Sequence, residues 1–369
     1  MTHLFHVVQG ATFFLMVGLC PSDAVPPANG RIERVASLQT ARAAHTATAL
    51  TSGQLLVAGG MGPGESSLRS AELIDVLTGR VKELSPMADA RAGHTAVGLP
   101  DGRVVLAGGY NGSYLNSVEV FDGALQRFEI IGHLTEGRAG HTATLLQDGR
   151  ILVVGGVGHG WSFLSSAEVF DPQSGRSEPV GEMSVARESH TATLLPDGRV
   201  LIVGGHQGRR EAMEVYSSAE IYDPVTRRFR PAGHLATARH KHDAVLLADG
   251  RVLVLGGADR TDRRYYATTE VCNPATAVCE PGPSMLSTRY KFQGTVVPLT
   301  NGDLLVASGA REAELLDHRS FTFHKVVGPF PAAYFFATAT RVSSGDVAIV
   351  GGYDARNQTT AGVWLFRAR

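Results

Sequence analysis

Short apolar runs alternate with turns rich in Gly, Asp and Pro along nearly the whole chain, and the alternation repeats at an almost constant interval. One copy reads Arg138-Ala-Gly-His141-Thr-Ala-Thr-Leu-Leu, then Gln147-Asp148-Gly149-Arg150, then Ile151-Leu-Val-Val154-Gly-Gly156. A variable stretch follows, then Ser166-Ala-Glu168-Val-Phe-Asp171-Pro-Gln-Ser-Gly175 and a last short run towards Met183. In order this predicts strand, tight turn, strand, long loop, strand, turn, strand. The second strand of each copy is an unbroken apolar run, as in Val104-Val105-Leu106 or Val252-Leu253-Val254-Leu255. A run without alternation marks a strand covered on both faces. Asp-Gly between two apolar runs is a strong hairpin signal, read here as a turn with both central residues at positive φ. It recurs at Asp101-Gly102, Asp148-Gly149, Asp197-Gly198 and Asp249-Gly250, with Asn301-Gly302, Ser52-Gly53 and Ser344-Gly345 in the remaining copies.

Glycine pairs end the second strands. They are Gly59-Gly60, Gly108-Gly109, Gly155-Gly156, Gly204-Gly205, Gly256-Gly257, Ser308-Gly309 with one glycine replaced, and Gly351-Gly352. The steps of 49, 47, 49, 52, 52 and 43 residues indicate one four-stranded unit copied seven times. Such units cannot bury their own apolar faces and stack on neighbours. Seven four-stranded units predict an all-β, seven-bladed β-propeller over residues 31–369. The last copy supplies only three strands, ending with Val363–Phe366, and residues 31–38 read as the missing fourth. The N-terminal strand is therefore expected to complete the last blade, because an open arc would expose sheet edges.

An Arg-x-x-His before the first strand, a glycine pair after the second and a Tyr/Phe-Asp turn after the third together resemble the kelch repeat, and the likeness spans residues 31–369. The tryptophan usual after that turn is missing, with Val81, Phe128 and Phe229 nearby instead. Copies six and seven carry Phe292 and Phe336 where the histidine is expected. The resemblance implies a propeller. Kelch propellers include protein-binding modules, sugar-linked enzymes such as galactose oxidase, and exported bacterial proteins, so the likeness predicts architecture better than activity.

Charge narrows the partners. A formal net charge of -1 and the even balance of Lys+Arg 34 against Asp+Glu 35 give no basic footprint for nucleic acid. The uncharged run Val7–Leu19 is too short to span a membrane and suits the apolar part of a secretory signal. Residues 1–24 are read as that signal and 25–30 as a linker, so a secreted, periplasmic or cell-surface location is expected. Against this, no Lys or Arg lies between Met1 and His6, and Cys20 offers a lipid-anchored alternative. Cys272 and Cys279 flank a predicted hairpin turn and are expected to face each other as a disulfide, with two free thiols as the alternative.

The repeated pairs Arg42/His45, Arg91/His94, Arg138/His141, Arg187/His190 and Arg239/His242, with Arg289 alone in copy six, are expected near one mouth of the channel. They are read as construction, bonded locally and to the repeated Glu72, Glu119, Glu168, Glu220 and Glu270, because function breaks a repeat's symmetry. The candidate ligand-binding residues are those that depart from the repeat. One sector holds Arg209, Arg210, Arg260, Arg263, Arg264, Tyr265, Tyr266, Arg289, Tyr290 and Lys291; the sector read as opposite holds Tyr110, Tyr114 and Trp161. Arginine forks suit carboxylate or phosphate, and aromatic rings suit sugars. No catalytic residue, metal or cofactor is assigned: phosphate-loop, His-Glu-x-x-His and Gly-x-Ser-x-Gly motifs are missing. The reading is an exported, monomeric binding module for a protein or an acidic glycan, without a membrane span. A carbohydrate-active enzyme of epimerase or lyase type at the channel mouth is the alternative. A deep pocket with perturbed groups would mark the enzyme, and a broad, asymmetric surface the module.

Overall fold

The hairpins that open each unit have a three-residue loop. In the second unit Gly102 N–H donates to Leu99 O (3.0 Å) and Leu99 N–H to Arg103 O (2.8 Å), with Gly102 at φ 87°. Asp101 keeps a negative φ and instead accepts from Arg103 N (3.0 Å). The expected turn with two positive-φ residues is thus replaced by a type I turn closed by a left-handed glycine, which adds one residue and preserves the strand twist. The same bond pattern recurs at Gly53, Gly149, Gly198, Gly250, Gly302 and Gly345.

A computed structural model describes residues 30–368. The signal segment 1–24, Cys20, the cleavage point after Ala24 and all but the last residue of the 25–30 linker lie outside the described residues. Seven four-stranded antiparallel sheets form the ring. Blade 1 runs Thr46–Ala49, Leu55–Ala58, Ala71–Asp75 and Arg80–Glu83 from inside to outside, and blades 2 to 6 repeat that order along the chain. Blade 7 combines Thr338–Arg341, Val347–Val350 and Gly362–Arg367 with Arg31–Ser37 as its outer strand. The closing pair runs antiparallel from Arg31 opposite Arg367 to Ser37 opposite Gly362. Closure by the N-terminal strand is therefore observed: it covers the outer side of Gly362–Arg367, becomes the outer strand of blade 7 and fastens the two ends of the ring together.

The core lies between blades rather than within them. Leu55 and Val57 pack against Ala348 and Val350 of blade 7, whereas Leu56 and Ala58 pack against Val104 and Leu106 of blade 2. Alternate residues of one strand thus serve two different interfaces, which is why the run does not alternate in polarity. The glycine pair lets the next unit come close. A Cβ on Gly59 (φ 61°) would lie 2.5 Å from Arg91 O, and one on Gly60 (φ 97°) would lie 2.6 Å from Ala43 O.

Cys272 and Cys279 face each other in the ladder between the third and fourth strands of blade 5 and are joined as a disulfide. Among the described residues no helix is long and apolar enough to cross a membrane.

A rim basin over blades 4 and 5

The repeated arginines are struts. Arg91 donates to Gly108 O (2.6 Å), to Ser117 Oγ (3.1 Å) and to Glu119 Oε1 (2.6 Å), and Glu119 in turn accepts the backbone N–H groups of Ala88 and Asp89. Arg42–Glu72, Arg138–Glu168, Arg187–Glu220 and Arg239–Glu270 repeat the pairing. Each carboxylate therefore ties its own blade to the chain segment that enters it. Burial pulls the guanidinium of Arg42, Arg138, Arg187 and Arg239 below its ordinary pKa, and the facing carboxylate opposes that pull. The histidines bond across blades: His94 Nε2 meets Thr46 Oγ1 (3.0 Å), His141 meets Thr95 (3.0 Å), His190 meets Thr142 (3.0 Å) and His45 meets Thr338 (3.1 Å). Their Nδ1 atoms are buried without a partner. Burial holds His45 and His190 down to about 3, so they are neutral wall residues. The expected ring at the channel mouth is accordingly a set of groups inside the wall. Arg289 corrects the candidate set: it is fully buried, donates to Ser308 O (2.6 Å) and pairs with Glu314 Oε1 (2.8 Å), making it the sixth strut.

Two residues separate the Arg and His positions in each copy, and the first is fully buried at Ala43 and His240. The second of them is left-handed in every blade: Ala44 (φ 48°), Gly93 (60°), Gly140 (64°), Ser189 (57°), Lys241 (53°), Lys291 (53°) and Phe336 (50°). Backbone bonds link these residues around the channel, from Gly93 N to Ala44 O, Gly140 N to Gly93 O, Lys241 N to Ser189 O, Lys291 N to Lys241 O, Phe336 N to Lys291 O and Ala44 N to Phe336 O. Phe336 thus belongs to this belt. The histidine slot of copy seven is taken by Ala337, because Gly352 faces Tyr334 and Ala337 as Gly109 faces Arg91 and His94. Phe336, expected in that slot from the sequence, stands one residue before it.

The pair reads Ala-Ala, Ala-Gly and Ala-Gly in blades 1 to 3, then Glu188-Ser189, His240-Lys241 and Tyr290-Lys291 in blades 4 to 6. The symmetry breaks on one side of the ring, and a basin of about 730 Å³ lies there. Arg209, Arg210, Arg260 and Arg263 line it together with Lys241, Glu188, Glu211 and Asp262. These arginines come from the loops after the second strands of blades 4 and 5, so the basic candidates are brought together. Arg264 lies over Tyr266 (5.8 Å), and Tyr266 also covers the strut Arg239 (5.4 Å). Tyr265 stacks on Tyr290 with ring centroids 3.8 Å apart, and Lys291 Nζ donates to Tyr353 Oη (2.8 Å). Burial, reinforced by the neighbouring Tyr265, raises the Tyr290 hydroxyl.

The aromatic group is not opposite this basin but continuous with it. Tyr110, Tyr114 and Trp161 pack at 5.0 to 6.1 Å, and the Arg209 guanidinium lies 4.0 Å over the Trp161 ring. A second cavity of about 430 Å³ runs from these rings into the channel and shares Glu188, Ser189, Arg209 and Phe336 with the basin. The loops of blades 2 and 3 adjoin that of blade 4, so the two sectors form one arc. Burial pushes the Tyr114 hydroxyl up to about 12.

Sequence reasoning passed over the polar line at the floor. His206 Nε2 lies 3.7 Å from Glu188 Oε2, and His206 Nδ1 lies 3.1 Å from His240 Nδ1. His240 Nε2 faces Asp259 O (3.1 Å) and Asp262 Oδ1 (3.2 Å), and Asp262 Oδ2 accepts from Lys241 Nζ (2.5 Å). Burial raises Glu188 against the pull of Arg209 and Lys241, and it lowers His206 to about 3. Burial also lowers Lys241, whereas the contacts with His240 and Lys241 outweigh burial at Asp262 and hold its carboxyl low. The signal that could have revealed the line is the broken Ala/Gly pattern between Arg and His.

The Kelch motif family matches residues 90–122 and 138–184, which are most of blades 2 and 3. No curated protein matches the chain by sequence. Among solved structures, the chain is similar to a novel fungal alcohol oxidase with catalytic diversity among the AA5 family, in complex with copper. The identity is 17%, the TM-score 0.70, and the likeness covers 92% of this chain and 76% of that one. At that identity the likeness shows the fold and does not carry over the copper chemistry. Among the described residues no three His, Cys, Asp or Glu side chains converge to hold a metal ion. The Kelch matches, the seven four-stranded blades and the closing N-terminal strand make this chain a seven-bladed β-propeller that carries Kelch motifs in blades 2 and 3.

Proposed function

We propose that this propeller is an exported binding module whose ligand is an acidic glycan, held in the rim basin over blades 4 and 5. The observation that carries the reading is the gathering of Arg209, Arg210, Arg260 and Arg263 in one open basin beside the Tyr110, Tyr114 and Trp161 rings. Guanidinium forks bind carboxylates in pairs of bonds, and aromatic faces cover sugar rings. Propellers of this class serve generally as interaction modules, and the asymmetric rim agrees with that use. A protein ligand presenting carboxylates would use the same arginines. Export is supported by the Cys272–Cys279 disulfide, a bond that persists in oxidising compartments.

The test is binding of oligogalacturonate against neutral oligosaccharides of equal length by calorimetry. Arg209→Ala and Arg263→Ala are each expected to weaken uronate binding about tenfold or more, with affinity falling as salt rises. Equal binding of neutral and acidic oligosaccharides refutes the reading. The carbohydrate-active enzyme is the second reading, and one observation favours it: the basin gathers perturbed acid and base groups on Glu188, His206, Lys241 and Asp262.

A further inference from the structure

The line from Glu188 to Asp262 constrains where protons can sit. His240 Nε2 faces two acceptors, Asp259 O and Asp262 Oδ1, so it carries a hydrogen. The two Nδ1 atoms, 3.1 Å apart, then need one hydrogen between them. If His206 holds it, His240 is neutral and His206 Nε2 presents a lone pair to Glu188 Oε2. Two lone pairs face each other unless Glu188 is protonated. If His240 holds it, His206 Nε2–H points at the Glu188 carboxylate instead. These two arrangements contain the same number of protons, the second placing a positive charge on His240; at 3.7 Å the Glu188 and His206 groups are not hydrogen-bonded, so interconversion needs that gap to close. Removing one proton leaves a carboxylate facing a lone pair, compensated by nearby positive charge and by the solvent that reaches the exposed quarter of the Glu188 side chain.

That positive charge is limited and shared. From the blade 4 loop Arg209 acts on Glu188, and from the blade 4–5 connection Lys241 does, although Lys241 is already paired with Asp262. Blade 3 offers only the Gly140 backbone, where a Cβ would meet Glu188 Oε1 at 2.7 Å. Blade 2 offers Tyr114, whose hydroxyl has no partner. Arg209 is therefore the cation free to stabilise either an ionised Glu188 or a bound anion.

We propose that the basin binds an anion and a proton together, the proton being held on the Glu188–His206–His240 line when a carboxylate occupies Arg209. This rests on the acidic-ligand reading above for the identity of the anion. The sign follows from competition for Arg209. A bound anion adds negative charge beside Glu188, raises its proton affinity, and so binds more weakly as pH rises through the interval between the free and occupied midpoints.

The experiment is a carbon-detected NMR titration of the intact protein labelled at glutamate carboxyls, with Glu188→Gln assigning the resonance. The probes are a galacturonate trisaccharide and, as a non-glycan anion, sulfate. The Glu188 midpoint is expected above the ordinary glutamate range in the free protein, and saturation with trisaccharide is expected to raise it by roughly one unit. Affinity is expected to be about tenfold higher near pH ~5 than near pH ~8 in the native protein and flat with pH in Glu188→Gln. His206→Gln, which breaks the line but keeps Glu188, is expected to lower the midpoint. If sulfate moves the midpoint while the trisaccharide does not bind, the glycan reading fails and the coupling stands. A midpoint in the ordinary range, or one moved by neither anion, overturns the proposal.

Discussion

Arg91→Met tests whether the repeated arginines hold the ring together. The Arg91 side chain is fully buried and donates to Gly108 O, Ser117 O, Ser117 Oγ and Glu119 Oε1. Methionine fills most of the stem volume and removes the charge and every one of these donors. Glu119 is then left ionised and fully buried, with only the Ala88 and Asp89 N–H groups to solvate it. Breaking a buried pair from one side costs about 3–5 kcal/mol, because an uncompensated charge remains. Removing both partners, as in Arg91→Met with Glu119→Leu, leaves the two carbonyls and two N–H groups short of partners but no orphan charge. Its cost is expected to be well below the sum of the single changes. Urea unfolding at neutral pH measures all three variants, read as midpoint shifts at constant slope. Arg289→Met should match Arg91→Met, since Arg289 is the same strut in blade 6. An Arg91→Met loss below about 1 kcal/mol, or a double variant as damaged as the summed singles, would refute the strut argument.

Three further outcomes follow from the wall and the turns. The wall histidines, with folded pKa values near 3 at His45 and His190 against an ordinary value of 6.5, stabilise the fold above pH 6.5 and lose that contribution as pH falls towards about 3. Acid unfolding should accordingly begin above the carboxylate range when followed by circular dichroism, and a flat stability between those limits would contradict it. Asp243 is buried and raised to about 6 by desolvation, although Thr295 N and Val296 N donate to it. Its contribution is fully present below 3.8 and lost as pH rises through about 6, so Asp243→Asn should gain stability relative to the native protein across that window; an unchanged difference on either side of it would show the carboxyl to be ordinary. Reducing Cys272–Cys279 should lower the thermal midpoint modestly, since closing so short a loop constrains the unfolded chain by about 2.5 kcal/mol at most; an unchanged midpoint after confirmed reduction would argue against the cross-link.

The turns, the glycine pairs and the disulfide were legible because each depends on neighbours in sequence. Asp101-Gly102 can be read as a hairpin from its own flanks, and Cys272 and Cys279 are placed opposite each other by one local turn. The turn type was missed, because whether Asp101 or only Gly102 takes a positive φ depends on a one-residue difference in loop length. Arg91 and Glu119 were legible as partners because both recur at the same step. Phe336 was misplaced because copy seven lacks both markers, with Tyr334 and Ala337 in the Arg and His slots. The Trp161 and Arg209 sectors were separated in the sequence reading although one guanidinium lies over the other's ring.

The amino-acid pattern by itself determined the repeat, the blade count and the closing strand, because those follow from short-range periodicity and the need to cover every apolar face. The candidate site was decided only by closure of the ring. Glu188, His206 and His240 stand on two blade entries and one post-glycine segment. No sequence spacing brings a 3.1 Å contact between His206 and His240 into view. Their proximity comes from the rotation between adjacent blades, which packing of the inter-blade cores sets.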